Sequence, residues 1–181
     1  MKDKFNVYNN MTTTVEANIK SIAIMSNNEE YRYRLTRIWD EKKEIAGIIM
    51  INPSKANALK TDRTIMNVMN YLIDKNFGGV DVVNLFSFIT TEQENLNQRN
   101  IVYENPNDYY ISQMIEERSM IIVAWGSNNK EHNFRKNEVE IILLPYKNKL
   151  KCFRDKNGRN TRHPLHLTAD WELVDYKLNS K

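Results

Sequence analysis

One cysteine, three histidines, five glycines and four prolines in 181 residues leave little of the chemistry that classifies a chain at sight. A lone Cys152 cannot close an internal disulfide, and nothing basic beside it in sequence would activate a thiolate, so it reads as a core or strand residue. His132 and His166 read as surface residues, and without further cysteines or paired acids at ligand spacing they give no metal site. No cofactor is expected. No apolar run approaches the roughly 20 residues of a membrane-spanning helix, so no membrane partner is expected. The opening MKDKFNVYNNMTTT lacks the apolar core and small-residue cleavage site of a signal peptide, which leads us to expect a cytoplasmic protein. Internal repeats and low-complexity linkers are missing too, and the length suits one domain, with a polar, aperiodic and loosely docked start over residues 1–19.

Charge is the next scarcity. Twenty-six basic against 23 acidic residues leave a net charge of +3, far from the basic stripes that hold duplex DNA by charge alone. A nucleotide or a short stretch of nucleic acid suits this balance better than a long duplex. The abundance of Asn, Lys and Ile fits an AT-rich coding genome, bacterial or phage, and carries no mechanistic weight.

What is present is a regular alternation of elements. Residues 21–25 and 31–39 are β-prone runs separated by Asn27-Asn28-Glu29-Glu30, which predicts an antiparallel hairpin. In the second run Tyr31, Tyr33 and Leu35 alternate with Arg32, Arg34 and Thr36. One face should therefore pack and the other be cationic, either solvated or in contact with phosphate. Residues 45–51 (IAGIIMI) are continuously apolar, the mark of a strand buried on both faces, and Pro53 must end it. Ile65, Met66, Val68, Met69, Leu72 and Ile73 recur at helical spacing, with Thr61 or Asp62 as N-cap and Gly78-Gly79 just past the end. A strand at 80–88, a helix at 107–119, a strand at 120–125, a helix at 132–144, a strand at 150–153 and a turn at 155–158 complete the series. This order predicts a three-layer α/β/α sandwich with a mainly parallel central sheet, the strands beginning near Ile45, Val80 and Met120 lying adjacent and parallel.

In such sheets the ligand lies beyond the carboxyl ends of the strands. Four polar segments fall there: Asn52-Pro53-Ser54, Asn84, Trp125-Gly126-Ser127 and His163-Pro164-Leu165-His166. Each has a structural alternative. Asn52-Pro53 is also turn chemistry, Trp125 a core aromatic, His163 an exposed loop residue, and Asp62 the cap of the helix that follows it. Asn84 inside an apolar strand is harder to dismiss, because a buried amide must find partners.

Taken in chain order, the four segments resemble the motif set of the uracil-DNA glycosylase superfamily. That resemblance implies that Asn52 orients an attacking water, Asn84 reads the edge of a base, Trp125-Gly126 follows a third strand, and His163 stabilises charge on the departing base while Leu165 or Leu167 wedges into a duplex. The glycine that precedes the first motif in that family and the serine that follows His-Pro are replaced here, which weakens the case for DNA glycosylase activity. A closer resemblance, over residues 31–167, is to a family of short bacterial and phage proteins known only as a domain of unknown function. It rests on Arg34 and Arg37 in the opening strand, Asn52-Pro53-Ser54, Asp62-Arg63-Thr64, Asn84-Leu85-Phe86, Trp125-Gly126 and His163-Pro164-Leu165.

Breaking an N-glycosidic bond builds positive charge on the sugar and negative charge on the base, so it needs a water-orienting group, an amide and a donor to the base oxygen. The candidate catalytic residues are thus Asn52, His163 and Asp62. Candidate binding residues are Asn84, Pro53, Ser54, Phe86, Trp125, Gly126, Arg34, Arg37 and Leu165, with Lys156, Arg159 and Arg162 as a further phosphate grip. The expected partner is a nucleotide or nucleic acid carrying a modified or uracil-like base. Three readings stay open: an N-glycosidase, a non-catalytic nucleotide-binding module on the same fold, and a protein-binding domain with a vestigial pocket.

Overall fold

The computed structural model describes residues 11–126 and 132–178. Within them lies an α/β arrangement around one seven-stranded mixed sheet. Its strands are β1 (Lys20–Met25), β2 (Arg32–Ile38), β3 (Ile45–Met50), β4 (Gly79–Asn84), β5 (Ile121–Val123), β6 (Leu150–Arg154) and β7 (Glu172–Asp175), in the spatial order β1-β2-β4-β3-β5-β6-β7. The four central strands run parallel, and β3, β4 and β5 are adjacent as expected, with β3 between the other two. The outer strands are all antiparallel: β1 on β2, β2 on β4, and β7 on β6. The sheet is therefore mixed rather than mainly parallel. The strand β7 has no counterpart in the expected series, since two half-buried residues between exposed Glu172 and Asp175 give no apolar run.

The helices are α1 (Arg63–Asp74), the single turn α2 (Ile101–Glu104), α3 (Asn107–Glu117) and α4 (Asn133–Leu143). They sort onto the two faces of the sheet as the strand composition requires. Ile65, Val68, Met69 and Leu72 of α1 pack with Ile48, Val80, Val82 and Ile122. Ile111, Met114 and Ile115 of α3 and Val139 and Leu143 of α4 pack with Ile49, Val83, Ile121 and Val123 on the opposite face. Alternate residues of each central strand thus serve opposite cores, which is why β3 and β4 show no polar alternation. Cys152 lies in β6, 1% exposed.

The expected one-sided packing of the hairpin strand is corrected. Arg32, Arg34 and Arg37 are all buried. Ile24 pairs with Arg34 and Met25 with Arg32, so Tyr33 is an extra residue opposite the step between them, a β-bulge. Tyr33 stacks on Tyr110 of α3, and the next residue, Arg34, reaches Glu117 of the same helix. Beyond the bulge the parity is reversed. Arg32 joins Leu35 and Arg37 on the α1 face instead of sharing a face with Arg34.

Asp81, fully buried in β4, organises this corner. Its carboxylate accepts Arg34 Nε at 2.9 Å and Nη2 at 2.6 Å, Arg118 Nε at 2.8 Å and Thr36 Oγ1 at 3.1 Å. Glu117 pairs with Arg34 from the outside. Together these carboxylates raise the guanidinium pKa of Arg34 against the opposing effect of burial.

The turn out of α1 departs from the glycine rule. Asn76, with φ of 66°, takes the left-handed position expected of a C-terminal glycine. Gly78 serves instead for close approach, since a Cβ there would lie 2.0 Å from the carbonyl oxygen of Asp40. Gly78→Ala is accordingly expected to lower stability by about 1–3 kcal/mol by overpacking a main-chain contact. Urea unfolding should show a lower midpoint at unchanged slope, and a wild-type midpoint would mean that the β2–β3 connection yields without cost.

Candidate functional site

Strand β3 sends its chain to α1 on one face, whereas β4 and β5 send theirs to α3 and α4 on the other. The carboxyl ends on either side of β3 are therefore switch points, where α/β sheets open crevices. The loop after β3 is fixed there by Asn52, whose Nδ2 donates to the carbonyls of Thr90 at 2.7 Å and Pro53 at 3.0 Å. Thr90 N returns a bond to Pro53 O. Pro53 is buried and Ser54 half-buried in this clamp.

Asn84 closes β4 with 1% exposure. Its Oδ1 accepts from Arg32 Nη2 at 3.3 Å, and its main-chain oxygen accepts from Asn107 Nδ2 at 3.0 Å. The Asn84 Nδ2 group is buried and has no hydrogen-bond partner. Arg32, 2% exposed, donates through Nη1 to Ala56 O at 2.6 Å, and burial pulls its pKa down to about 10, with Asp62 opposing and Arg37 adding to the shift. Arg37 Nη2 donates to the carbonyls of Asn57 at 2.9 Å and Lys60 at 2.8 Å. The two arginines thus hold the loop between β3 and α1 from beneath.

Asp62 caps α1, its Oδ1 accepting Ile65 N at 2.9 Å, while its charge acts on Arg32, Arg37 and His163. His163 opens the turn Pro164–His166, with Nδ1 accepting Leu165 N at 3.3 Å. An accepting Nδ1 leaves the ring proton on Nε2. Asn67 of α1 ties that turn down by donating to Leu165 O at 2.9 Å. The β5 segment reaches His163 too: Gly126 has φ of +79°, and a Cβ there would lie 3.8 Å from His163 Cβ. Ser127 lies outside the described residues.

Arg32, Arg37, Asp62, Asn84, Gly126 and His163 therefore belong to one polar cluster at the rim, with Asn52 clamping the loop above it. Other expected site residues sit elsewhere. Arg34 is engaged with Asp81 and Glu117. Trp125 is a core residue, packed edge-on against Tyr176. Arg159 and Arg162 pair with Asp155 at 2.7 Å and 3.3 Å rather than forming an open grip. Leu165 is 41% exposed at the tip of its turn. His132 is buried against Phe86 rather than on the surface.

Phe86 belongs to a second feature, a cleft of about 780 Å³ on the α3/α4 face. Leu96, Arg99, Glu104, His132 and Arg135 also line it. Arg99 lies 4.6 Å over the Phe86 ring. Burial raises the pKa of Glu104, while a bond from Ser87 N at 2.7 Å works against the rise. Of these residues the sequence marks only Phe86 as a site candidate, and His132 it places on the surface. Only Arg99 carried a signal, an isolated cation in a neutral stretch.

With this geometry in place, comparison with known proteins adds one finding. Residues 32–165 match the family model described as Protein of unknown function (DUF1643). The chain belongs to the DUF1643 family. Neither the curated proteins nor the solved structures returned a match. The DUF1643 match spans β2 through the His163 turn, so the whole polar cluster lies inside the family's boundaries.

Burial lowers the His163 pKa, with Asp62 pulling it up and His166 pushing it down. The imidazole should therefore titrate below its ordinary value of about 6.5 and be neutral at pH 7. Because the unfolded chain accepts this proton more readily, His163 makes stability rise with pH through that window. NMR titration is expected to show the His163 midpoint below 6.5 and lower still in Asp62→Asn, where the favourable charge is gone. A midpoint above 6.5 would contradict the neutral-donor assignment.

Proposed function

We propose that this chain recognises a nucleobase or nucleotide at the carboxyl rim of its sheet, with Asn84 and His163 contacting the ligand. The observation that carries this reading is the buried, unpartnered Nδ2 of Asn84. An amide donor stripped of water and left unmatched costs roughly 1–3 kcal/mol, which a bound acceptor would recover. The order of the Asn-Pro, Asn, Trp-Gly and His-Pro segments supports a base as that ligand, through the resemblance to the uracil-DNA glycosylases.

If the site acts on its ligand, the reaction those residues suit is hydrolysis of an N-glycosidic bond. A neutral His163 presents Nε2–H to a developing oxyanion without transferring a proton, and Asn52 Oδ1 accepts from a water. A carboxamide cannot take that water's proton. Asp62 closes the same loop ten residues on, and one of its oxygens is engaged in capping α1. Thr90 and Pro53 engage only Nδ2 of Asn52, so its Oδ1 stays available to a water, and it is the inability of that amide to take a proton that favours binding without turnover over hydrolysis.

Replacing Asn84 by Ala is expected to weaken ligand binding by roughly 1–3 kcal/mol in calorimetric titration. Release of free base from uracil-containing DNA by the wild type, falling about a hundredfold in Asn52→Ala and His163→Ala, would establish the hydrolytic form of the reading. Wild-type affinity in a folded Asn84→Ala protein would remove Asn84 from the site.

A further inference from the structure

The other buried arginine, Arg34, and the half-buried Arg118 and Arg135 have carboxylates. Arg34 and Arg118 share Asp81 and Glu117, and Arg135 has Asp108 and Glu138. Arg32 and Arg37 differ. They are 2% and 6% exposed, yet among the described residues neither forms an ion pair. The carbonyls of Ala56, Asn57 and Lys60 stand where a carboxylate would be. A neutral carbonyl satisfies an N–H but does not neutralise a charge, and an uncompensated buried charge is among the costliest arrangements in a folded chain. Among the described residues, the carboxylate acting on both arginines is Asp62, already the cap of α1.

The unmatched atoms agree in kind. Arg32 Nε, Arg37 Nε and Asn84 Nδ2 are all buried, all without a hydrogen-bond partner, and all donors. Asn84 cannot turn its oxygen toward a ligand instead, because Arg32 Nη2 donates to that oxygen and would be left facing an NH2 group. A group that satisfies this set must accept several hydrogen bonds and carry negative charge. Planar guanidiniums meet such a group best when it is a tetrahedral or planar oxyanion.

We propose that Arg32, Arg37 and Asn84 form the seat of a phosphate group, and that the carbonyls of residues 56–60 are the acceptors it displaces. The inference rests on the nucleotide reading above and deepens it, placing the phosphate at Asn84 and leaving the base to His163 and the rim. The covering segment suits displacement. It has no regular structure, Leu59 is 90% exposed, and Ala56 is the one buried apolar side chain between residues 55 and 60.

Titration of the full chain with orthophosphate, uridine and uridine 5′-monophosphate tests this. Orthophosphate is expected to raise the melting temperature saturably. The nucleotide should bind at least about tenfold more tightly than the nucleoside, the effect of one added charge-assisted contact. Arg37→Gln should abolish that difference. Hydrogen exchange on the unmodified protein gives a readout that no folding defect can obscure. The amides of Leu59 and Lys60, now bonded to Asn57 Oδ1, should change protection when orthophosphate binds. Equal affinity for uridine and its monophosphate, with no exchange response to orthophosphate, would overturn the phosphate seat while leaving base recognition standing. Saturable orthophosphate binding without any uridine affinity would support the seat and remove the nucleobase reading.

Discussion

The geometry of the rim depends on one buried carboxylate. Asp81 receives four hydrogen bonds, from Arg34, Arg118 and Thr36, and through them joins β2, β4 and the end of α3. Removing so many donors and a charge from water is costly, and only a nearly complete set of partners offsets it. Once β2 is held to β4 in this register, Arg32 must arrive beside Asn84. A neutral pair such as Thr and Val at positions 34 and 81 would hold the strands by packing alone, without the directional bonds that settle one register over its neighbours.

The central strands were legible because they are buried on both sides. Residues 45–51 are apolar or glycine throughout, and residues 80–84 are apolar apart from Asp81 and Asn84, so the composition announces the burial. The cap at Asp62 was legible for a local reason, since it acts within its own helix. Burial of arginine was not. Whether Arg32 lies in water or under a loop depends on the carbonyl of Ala56, 24 residues away, and on a bulge that breaks the alternation from which a facing is read. The glycosylase resemblance has a similar limit, since motif order alone cannot say whether Trp125 meets a ligand or, as here, the ring of Tyr176.

The rim also divides by chemistry. On the α1 face lies a donor-rich cluster, with two guanidiniums, an amide and a neutral imidazole facing one capped carboxylate. On the α3/α4 face lies the cleft at Phe86, where Arg99 and Arg135 are outnumbered by Glu94, Glu104, Asp108 and Glu138. The end of β4 separates them, with Asn84 turned to one side and Phe86, two residues later, to the other. The side chains of a single short segment thus serve two environments of opposite electrical character.

The bulge at Tyr33 has an evolutionary consequence. Because side chains in a strand alternate, an extra residue would turn everything on its far side, and the bulge absorbs it so that Arg32 still opposes Met25. A relative lacking Tyr33 would restore a regular ladder and keep its counterpart of Arg32 beside Asn84, whereas a relative that keeps Tyr33 in a straight strand would turn that arginine toward α3. In this family a single-codon deletion at the bulge therefore spares the rim, and straightening the bulge discards a charge from it. An alignment that leaves out the gap would set the relative's arginine against Tyr33, a residue that points the opposite way.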